Sequence, residues 1–359
     1  MRIFALAVTL VFFAVPASAS DGVLEINQTC ATQSGCFPGD VAGFPVTITQ
    51  QGSYRLTGNL DLTASQTGIQ ISASDVTIDL GGFEIRGPNT CSTAFGQSSP
   101  VCTTPGSGRA ITDSFPVMNT SVRNGAIRGM TGDGLSLNFN PHVEDVSVTY
   151  SGGTGMDLGT NAHAARCSVR LNAGRGMLIG ESGVVVDSVI VGNGVGMEIA
   201  RGTIVRGSRI DANSERAIFS LNPTLAASVE ISDNTIRQNG SASTPTIPAI
   251  DVQVGRIARN VVTDNFGDGI KANDAVVVEN HVSGNGGCAA RFATNAGRSA
   301  ALADNEFVGN NIFGSCPGTS GQTQISGFFL ATTCSVVTCT SGSAKVGTFC
   351  PPSTLTCLP

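Results

Sequence analysis

The sequence predicts an all-β solenoid of stacked three-strand coils, and three observations carry the prediction. A phrase returns along the chain: a small polar residue, any residue, a branched or aromatic apolar residue, two more, then Asn. It occupies Ser188–Asn193, Ser208–Asn213, Asn234–Asn239, Asn260–Asn265, Asn280–Asn285 and Asn305–Asn310, with a degenerate copy at Cys167–Asn172. Successive copies start 20 to 26 residues apart, the spacing at which self-similarity signals a solenoid. The composition agrees: 45 Gly, no Trp and 13% charged residues suit tight turns around an aliphatic interior.

Residues 1–19 read as a signal peptide. Arg2 gives the positive start, Ile3 to Val15 the apolar stretch, and Ala17-Ser18-Ala19 the small-residue cleavage site. The apolar run is too short to span a membrane and no later stretch qualifies, so an exported, soluble chain is expected, extracellular or held in the periplasm or at the cell surface. Residues 20–50 are expected to form an N-terminal cap, with Cys30 close to Cys36 and a Phe37-Pro38-Gly39 turn. The solenoid is expected over 51–312. Its first clear coil is Asp75–Ile85, two period-2 strands bent at Gly81-Gly82, where a Cβ would obstruct the corner. Residues 87–108, rich in Gly, Ser, Pro and Thr, read as a loop thrown out from the body and stapled by Cys91 and Cys102. Residues 313–359 break the repeat, carry five Cys, and read as a C-terminal cap over the last open coil.

All eleven Cys follow the signal, in a compartment that permits pairing. Spacing suggests Cys30–Cys36, Cys91–Cys102, Cys288–Cys316 and pairs among Cys334, Cys339, Cys350 and Cys357, although spacing alone does not fix connectivity. Cys167 sits at a repeat position and is the candidate odd thiol. The formal net charge of −6 is spread along the chain, with no basic stripe and no nucleic-acid motif, which argues against a nucleic-acid partner. Both Asn columns read as ladders of stacked corner amides rather than ligands.

Val76–Gly82 and the six Asn/Ser repeats resemble the right-handed parallel β-helix proteins of the pectate-lyase-like superfamily, in particular their secreted bacterial β-helix-repeat members. The resemblance covers roughly 50–312 and implies the right-handed parallel β-helix fold. For function it implies only a range, from polysaccharide lyases, glycoside hydrolases and uronate epimerases to adhesins, because one fold hosts many activities. Where such proteins are enzymes, the site usually lies on the exposed face of the first strand of several consecutive coils.

Period-2 alternation shows which residues would face outward there. The strand after each long turn sends Met156, Met177 and Met197 inward and presents Ser136, Asp157, Leu178, Glu198, Phe219, Asp251, Lys271 and Arg291 outward. Asp251, Lys271 and Arg291 are expected on consecutive coils, about 5 Å apart. They are the candidate catalytic set. An Arg grips a sugar carboxylate through two parallel hydrogen bonds, and a desolvated Lys can remove the proton beside it. Opposite charges on neighbouring strands also stabilise a sheet without any function. Asp157, Glu198 and Phe219 are the candidate substrate-binding residues; the two acids would stand roughly 10 Å apart, a poor spacing for an inverting hydrolase.

Other chemistry is weaker. His142 and His163 are one coil apart and are expected to stack in one turn, but two His fall short of a metal site. Asn140-Pro141-His142-Val143 resembles the Asp-Pro-His-Asp motif of β-helix uronate epimerases with both acids missing. Phe266-Gly-Asp268-Gly resembles the Asp-Gly of polygalacturonases without their paired Asp or Gly-His-Gly. No metal or other cofactor is assigned; calcium would use Asp264, Asp268 and Asp274, which lack a loop signature. The sequence thus points to a secreted β-helix protein binding an extracellular acidic polysaccharide or cell-surface glycan, with polyuronate cleavage by β-elimination ahead of hydrolysis or epimerisation if it is an enzyme. The alternative is a non-catalytic envelope or matrix solenoid.

Overall fold

A computed structural model describes residues 22–92, 100–103, 106–220, 228–242, 245–292, 301–310 and 312, together with the strands Ile325–Ser326, Val337–Thr340 and Ser343–Val346. The chain is a right-handed parallel β-helix of about 11 turns. The signal peptide and the pairings expected for Cys316, Cys334, Cys339, Cys350 and Cys357 lie outside the described residues.

Each coil contributes one strand to each of three parallel sheets, here sheets A, B and C in the order the chain visits them. Sheet A runs through Val46–Ile48, Ile69–Ile71, Ile111–Asp113, Leu135–Phe139, Met156–Thr160, Arg175–Ile179, Val195–Ile199 and Ile218–Ser220, and ends with the first part of Ile250–Ala258, that of Ile270–Val278, Ala290–Phe292 and Ile325–Ser326. The register is in phase throughout, so every inward residue stacks on its counterpart. In sheet A the inward stack Leu135, Met156, Met177, Met197, Ile218, Ile250 and Ile270 is fully buried, as alternation predicts for the Met column. Each such side chain contributes about 1.5–3 kcal/mol of burial.

The corners complete the polar accounting. Asn172, Asn193, Asn213, Asn239, Asn265, Asn285 and Asn310 form one continuous ladder between sheets C and A. Each Nδ2 donates to the next Oδ1 at 2.8–3.1 Å. Between sheets B and C, Asn234, Asn260, Asn280 and Asn305 form a second ladder at 2.9–3.0 Å. Earlier coils continue it with hydroxyls: the Cys167 N–H donates to Ser188 Oγ, the Ser188 N–H to Ser208 Oγ, and the Ser208 N–H to Asn234 Oδ1. Cys167 is free and buried, and burial pushes its thiol up to about 12, so it is inert.

Both ends of the solenoid differ from the expected boundaries. Sheet pairing already includes Leu24–Ile26, bonded to Gly52–Leu56, and Val46–Ile48, bonded to Ile69–Ile71. The 20–50 segment therefore supplies the first coil as well as its cover. The cover is helix α1, Gln28–Gln33, capped by Asn27 and joined to the following turn by Cys30–Cys36. Side chains blunt the open edges. The Gln28 amide both donates to the Asp61 carbonyl and accepts from the Asp61 N–H, standing in for a strand of sheet C. Asp40 accepts from the N–H groups of Cys36 and Thr47, both at 2.8 Å. An unpaired edge would otherwise template aggregation. At the other end Val337–Thr340 and Ser343–Val346 form a hairpin whose second strand pairs antiparallel with Asn305–Val308 of sheet C.

Candidate functional site on the outer face of sheet A

Sheet A presents the outward column at the register alternation gives it: Ser136, Asp157, Leu178, Glu198, Phe219, Asp251, Lys271 and Arg291 on consecutive strands. A second column, three residues before the first and at the entry to each strand, carries Arg109, Asp133, Arg175, Arg216 and Asp268. Period-2 alternation does not reveal it, because the odd offset lies out of phase with the strand. Together the columns hold five cations and five carboxylates on one face.

Most of these charges are spent on each other. Arg109 Nε lies 3.0 Å from Asp133, and Arg175 pairs with Glu198. Asp251 is held between Arg216 and Lys271, each at 3.2 Å. Arg291 turns away from Lys271 toward Asp268: Nη2 donates to Oδ1 at 3.0 Å, while Nε sits 2.8 Å from Oδ2 off the angle a hydrogen bond needs. Asp268 also accepts from the Cys288 N–H at 2.8 Å and is only 1% exposed. Burial pushes its carboxyl up; Arg291 pulls it back down.

These contacts bear on three of the readings above. Asp251, Lys271 and Arg291 share consecutive strands but do not form one constellation, because Asp268 engages the guanidinium. Glu198 is 3% exposed and paired with Arg175, so it is not an open partner for Asp157 in hydrolysis. Asp264, Asp268 and Asp274 fall on a corner, a buried turn and the end of sheet A, and no cluster of three metal-ligating side chains occurs among the described residues. His142 and His163 do stack, with ring centroids 4.7 Å apart and planes within 4°. They stand at strand starts in sheet B rather than in a turn, away from this face.

Two side chains on the face remain available. Phe219 is half-buried, and the Arg216 guanidinium lies 5.3 Å from its ring centroid, a cation–π contact that leaves part of the ring exposed. Asp157 has no ion pair or hydrogen bond among the described residues. Burial, then the nearby Asp133 charge, push its carboxyl above the ordinary range. The folded chain holds this proton more tightly than the unfolded chain, so stability is lost as pH rises from the ordinary carboxylate value through the raised one. Asp157→Asn is therefore expected to raise the urea midpoint at neutral pH and leave it unchanged in acid. Equal midpoints for the two proteins at both pH values would sink this account.

Both borders of the Asp157 end are built up. Where the chain enters sheet A, the hairpin Cys91–Ser92/Val101–Cys102 is closed by the Cys91–Cys102 disulfide and packs on the next coils. Asn89 donates to the Met130 carbonyl, and Cys91 Sγ lies 3.2 Å from the Tyr150 carbonyl. The described part of the segment 87–108 lies against the turns that lead into the site strands.

The fold and this face define a protein of the right-handed parallel β-helix class. The family model described as "Right handed beta helix region" matches residues 111–255. Among solved structures the chain resembles the mannuronan C-5 epimerase AlgE6 A-module of Azotobacter vinelandii, at 14% identity over 77% of this chain and 89% of that one, with a TM-score of 0.49. It also resembles the Dettilon tailspike protein, at 12% identity over 84% and 66%, with a TM-score of 0.51. A third likeness is to an alginate lyase from Paenibacillus, at 12% identity over 76% and 98%, with a TM-score of 0.39. No curated protein sequence matches the chain. No helix among the described residues is long and apolar enough to cross a membrane.

Proposed function

We propose that the protein is an exported glycan-binding β-helix that lays an extracellular polysaccharide along the outer face of sheet A. One observation carries this reading: a single strip of sheet holds ten ion-pairing or ionisable side chains beside the part-exposed ring of Phe219. Carboxylates fixed by guanidinium partners offer acceptors and donors in set positions, which suits sugar hydroxyls. An aromatic face supplies the apolar contact for the ring.

The balance of charge narrows the ligand. All five cations are already engaged, by four of the five carboxylates, and are not free to grip a polyanion, so an uncharged polysaccharide fits better than a polyuronate. The second reading is β-elimination on a polyuronate with Lys271 as base, favoured by the half-exposed Lys271 ammonium beside Asp251. That chemistry needs an amine free to reach the sugar, and Lys271 Nζ is held by Asp251 at 3.2 Å.

Affinity electrophoresis against cellulose-, mannan-, xylan- and α-glucan-derived polymers, with polygalacturonate and alginate alongside, tests both readings. Wild type is expected to be retarded by at least one uncharged polymer, and Phe219→Ala to weaken that binding about fivefold. Retardation by none of them would refute the proposal. A rise in ultraviolet absorbance on the uronates, abolished by Lys271→Ala, would install the second reading instead.

A further inference from the structure

An aromatic pair lies at the border where the chain leaves sheet A. Phe115 is 76% exposed and is the only exposed phenylalanine among the described residues. Its ring centroid lies 5.7 Å from that of Phe139, with planes tilted by 57°. Met118, 45% exposed, stands beside them, bridged to Phe139 through the backbone. Three large apolar side chains thus share one patch at the end of two adjacent coils. Leaving such surface in water forgoes the burial that stabilises the rest of the chain.

The patch is held in place. Phe139 closes the strand Leu135–Phe139, and its neighbour Asn138 is fixed by Asp113, whose carboxylate oxygens each accept from the Asn138 N–H at 3.1 Å. The same strand pairs with Met156–Thr160, which carries Asp157. The floor formed by Thr112, Ser136 and Asp157 therefore has an aromatic border on its exit side and the disulfide-closed hairpin on its entry side.

We propose that Phe115 and Phe139 form a second sugar-binding subsite, in which a pyranose ring stacks on Phe115 while the unpaired Asp157 carboxyl bonds a hydroxyl of the same chain. This rests on the glycan-binding reading of sheet A and deepens it, because it fixes the ligand as a polymer long enough to reach both aromatic positions. Four strand steps separate Phe219 from Phe139 in the register, a span of about 19 Å. The occupant is the next segment of the polysaccharide seated at Phe219, since Phe139 closes a strand of the same sheet.

Calorimetric titration of wild type, Phe115→Ala and Phe219→Ala with short and long cello-, manno- and malto-oligosaccharides tests the subsite. Wild-type affinity is expected to climb with length until the ligand spans both rings. Phe115→Ala is expected to lose about fivefold on long ligands and nothing on short ones, flattening the length dependence. Its unfolding midpoint should match wild type, because the ring is exposed. Phe115→Trp is expected to keep the length dependence. Wild-type affinity for long ligands in Phe115→Ala would overturn the subsite while leaving the Phe219 reading intact. Absence of binding by wild type would overturn the parent reading, and the subsite with it.

Discussion

Asn239→Ala is expected to destabilise the protein by about 4 kcal/mol. The magnitude follows from what the amide does. Its Oδ1 accepts two bonds from Asn213, from the backbone N–H at 3.1 Å and from Nδ2 at 2.9 Å. Its Nδ2 donates to the carbonyls of Ile210 and Arg237 and to Asn265 Oδ1. Asn213 is fully buried, so water does not replace the lost acceptor. Leaving a buried donor unmet costs about 1–3 kcal/mol, and two donors are orphaned together. Asn265 Oδ1 still receives the backbone N–H of residue 239, so the damage runs mainly toward the preceding coil. Ser188→Ala makes a graded control. It removes a single acceptor, that of the Cys167 N–H, and should cost about half as much. Urea unfolding followed by circular dichroism measures both. A loss below about 1 kcal/mol for Asn239→Ala would mean that the ladder is a consequence of coil stacking and contributes little to it. Hydrogen exchange should locate the loosening in the coils around residues 208–240, because a solenoid repeat leans chiefly on its neighbours.

Repetition explains why the fold was legible and the site only partly so. A coil that stacks in register must repeat what the neighbouring coil requires, so the Asn columns and the inward Met stack show directly as sequence period. The outward column was legible for the same reason, since alternation about an inward residue assigns its neighbours to the surface. What alternation does not give is the direction a long side chain takes once it leaves the sheet. Arg291 bends back to Asp268 on the adjoining turn, and Arg216 reaches both Asp251 and Phe219; neither contact has a sequence period. The left-handed corners were hidden for a related reason. Asp145, Arg166, Asp187, Asp233, Arg259 and Glu279 all take positive φ at the turn between sheets B and C, where glycine would be expected. Charged residues fill the position instead, with Gly207 between Asp187 and Asp233, and Arg259 bonds Asp233 through two nitrogens at 2.7 and 2.8 Å. The aromatic patch was invisible because Phe115 lies in a turn outside every repeat.

Arg291→Ala carries the second large effect, and it separates a structural arginine from a ligand-binding one. Asp268 is almost fully buried and its partner is a quarter exposed. Removing one member of such a pair strands the other, at a cost of about 3 kcal/mol, the low end of the usual range because Arg291 is not itself fully desolvated. The pH dependence has a definite sign. Burial already raises the Asp268 carboxyl and Arg291 opposes that shift. Without the guanidinium the carboxyl binds its proton more tightly still, so the penalty is full at neutral pH and shrinks as acid protonates Asp268. If Arg291 instead served to grip a sugar, the variant would lose glycan affinity with a stability deficit indifferent to pH. The double variant Asp268→Asn with Arg291→Met decides between them. It removes the buried charge along with its partner and should recover most of the stability, since an uncharged replacement of a buried pair is often close to neutral. It should also bind glycan as wild type does. A double variant no more stable than Arg291→Ala would mean that the pair itself, rather than the stranded carboxylate, holds the turn beneath Cys288 in place.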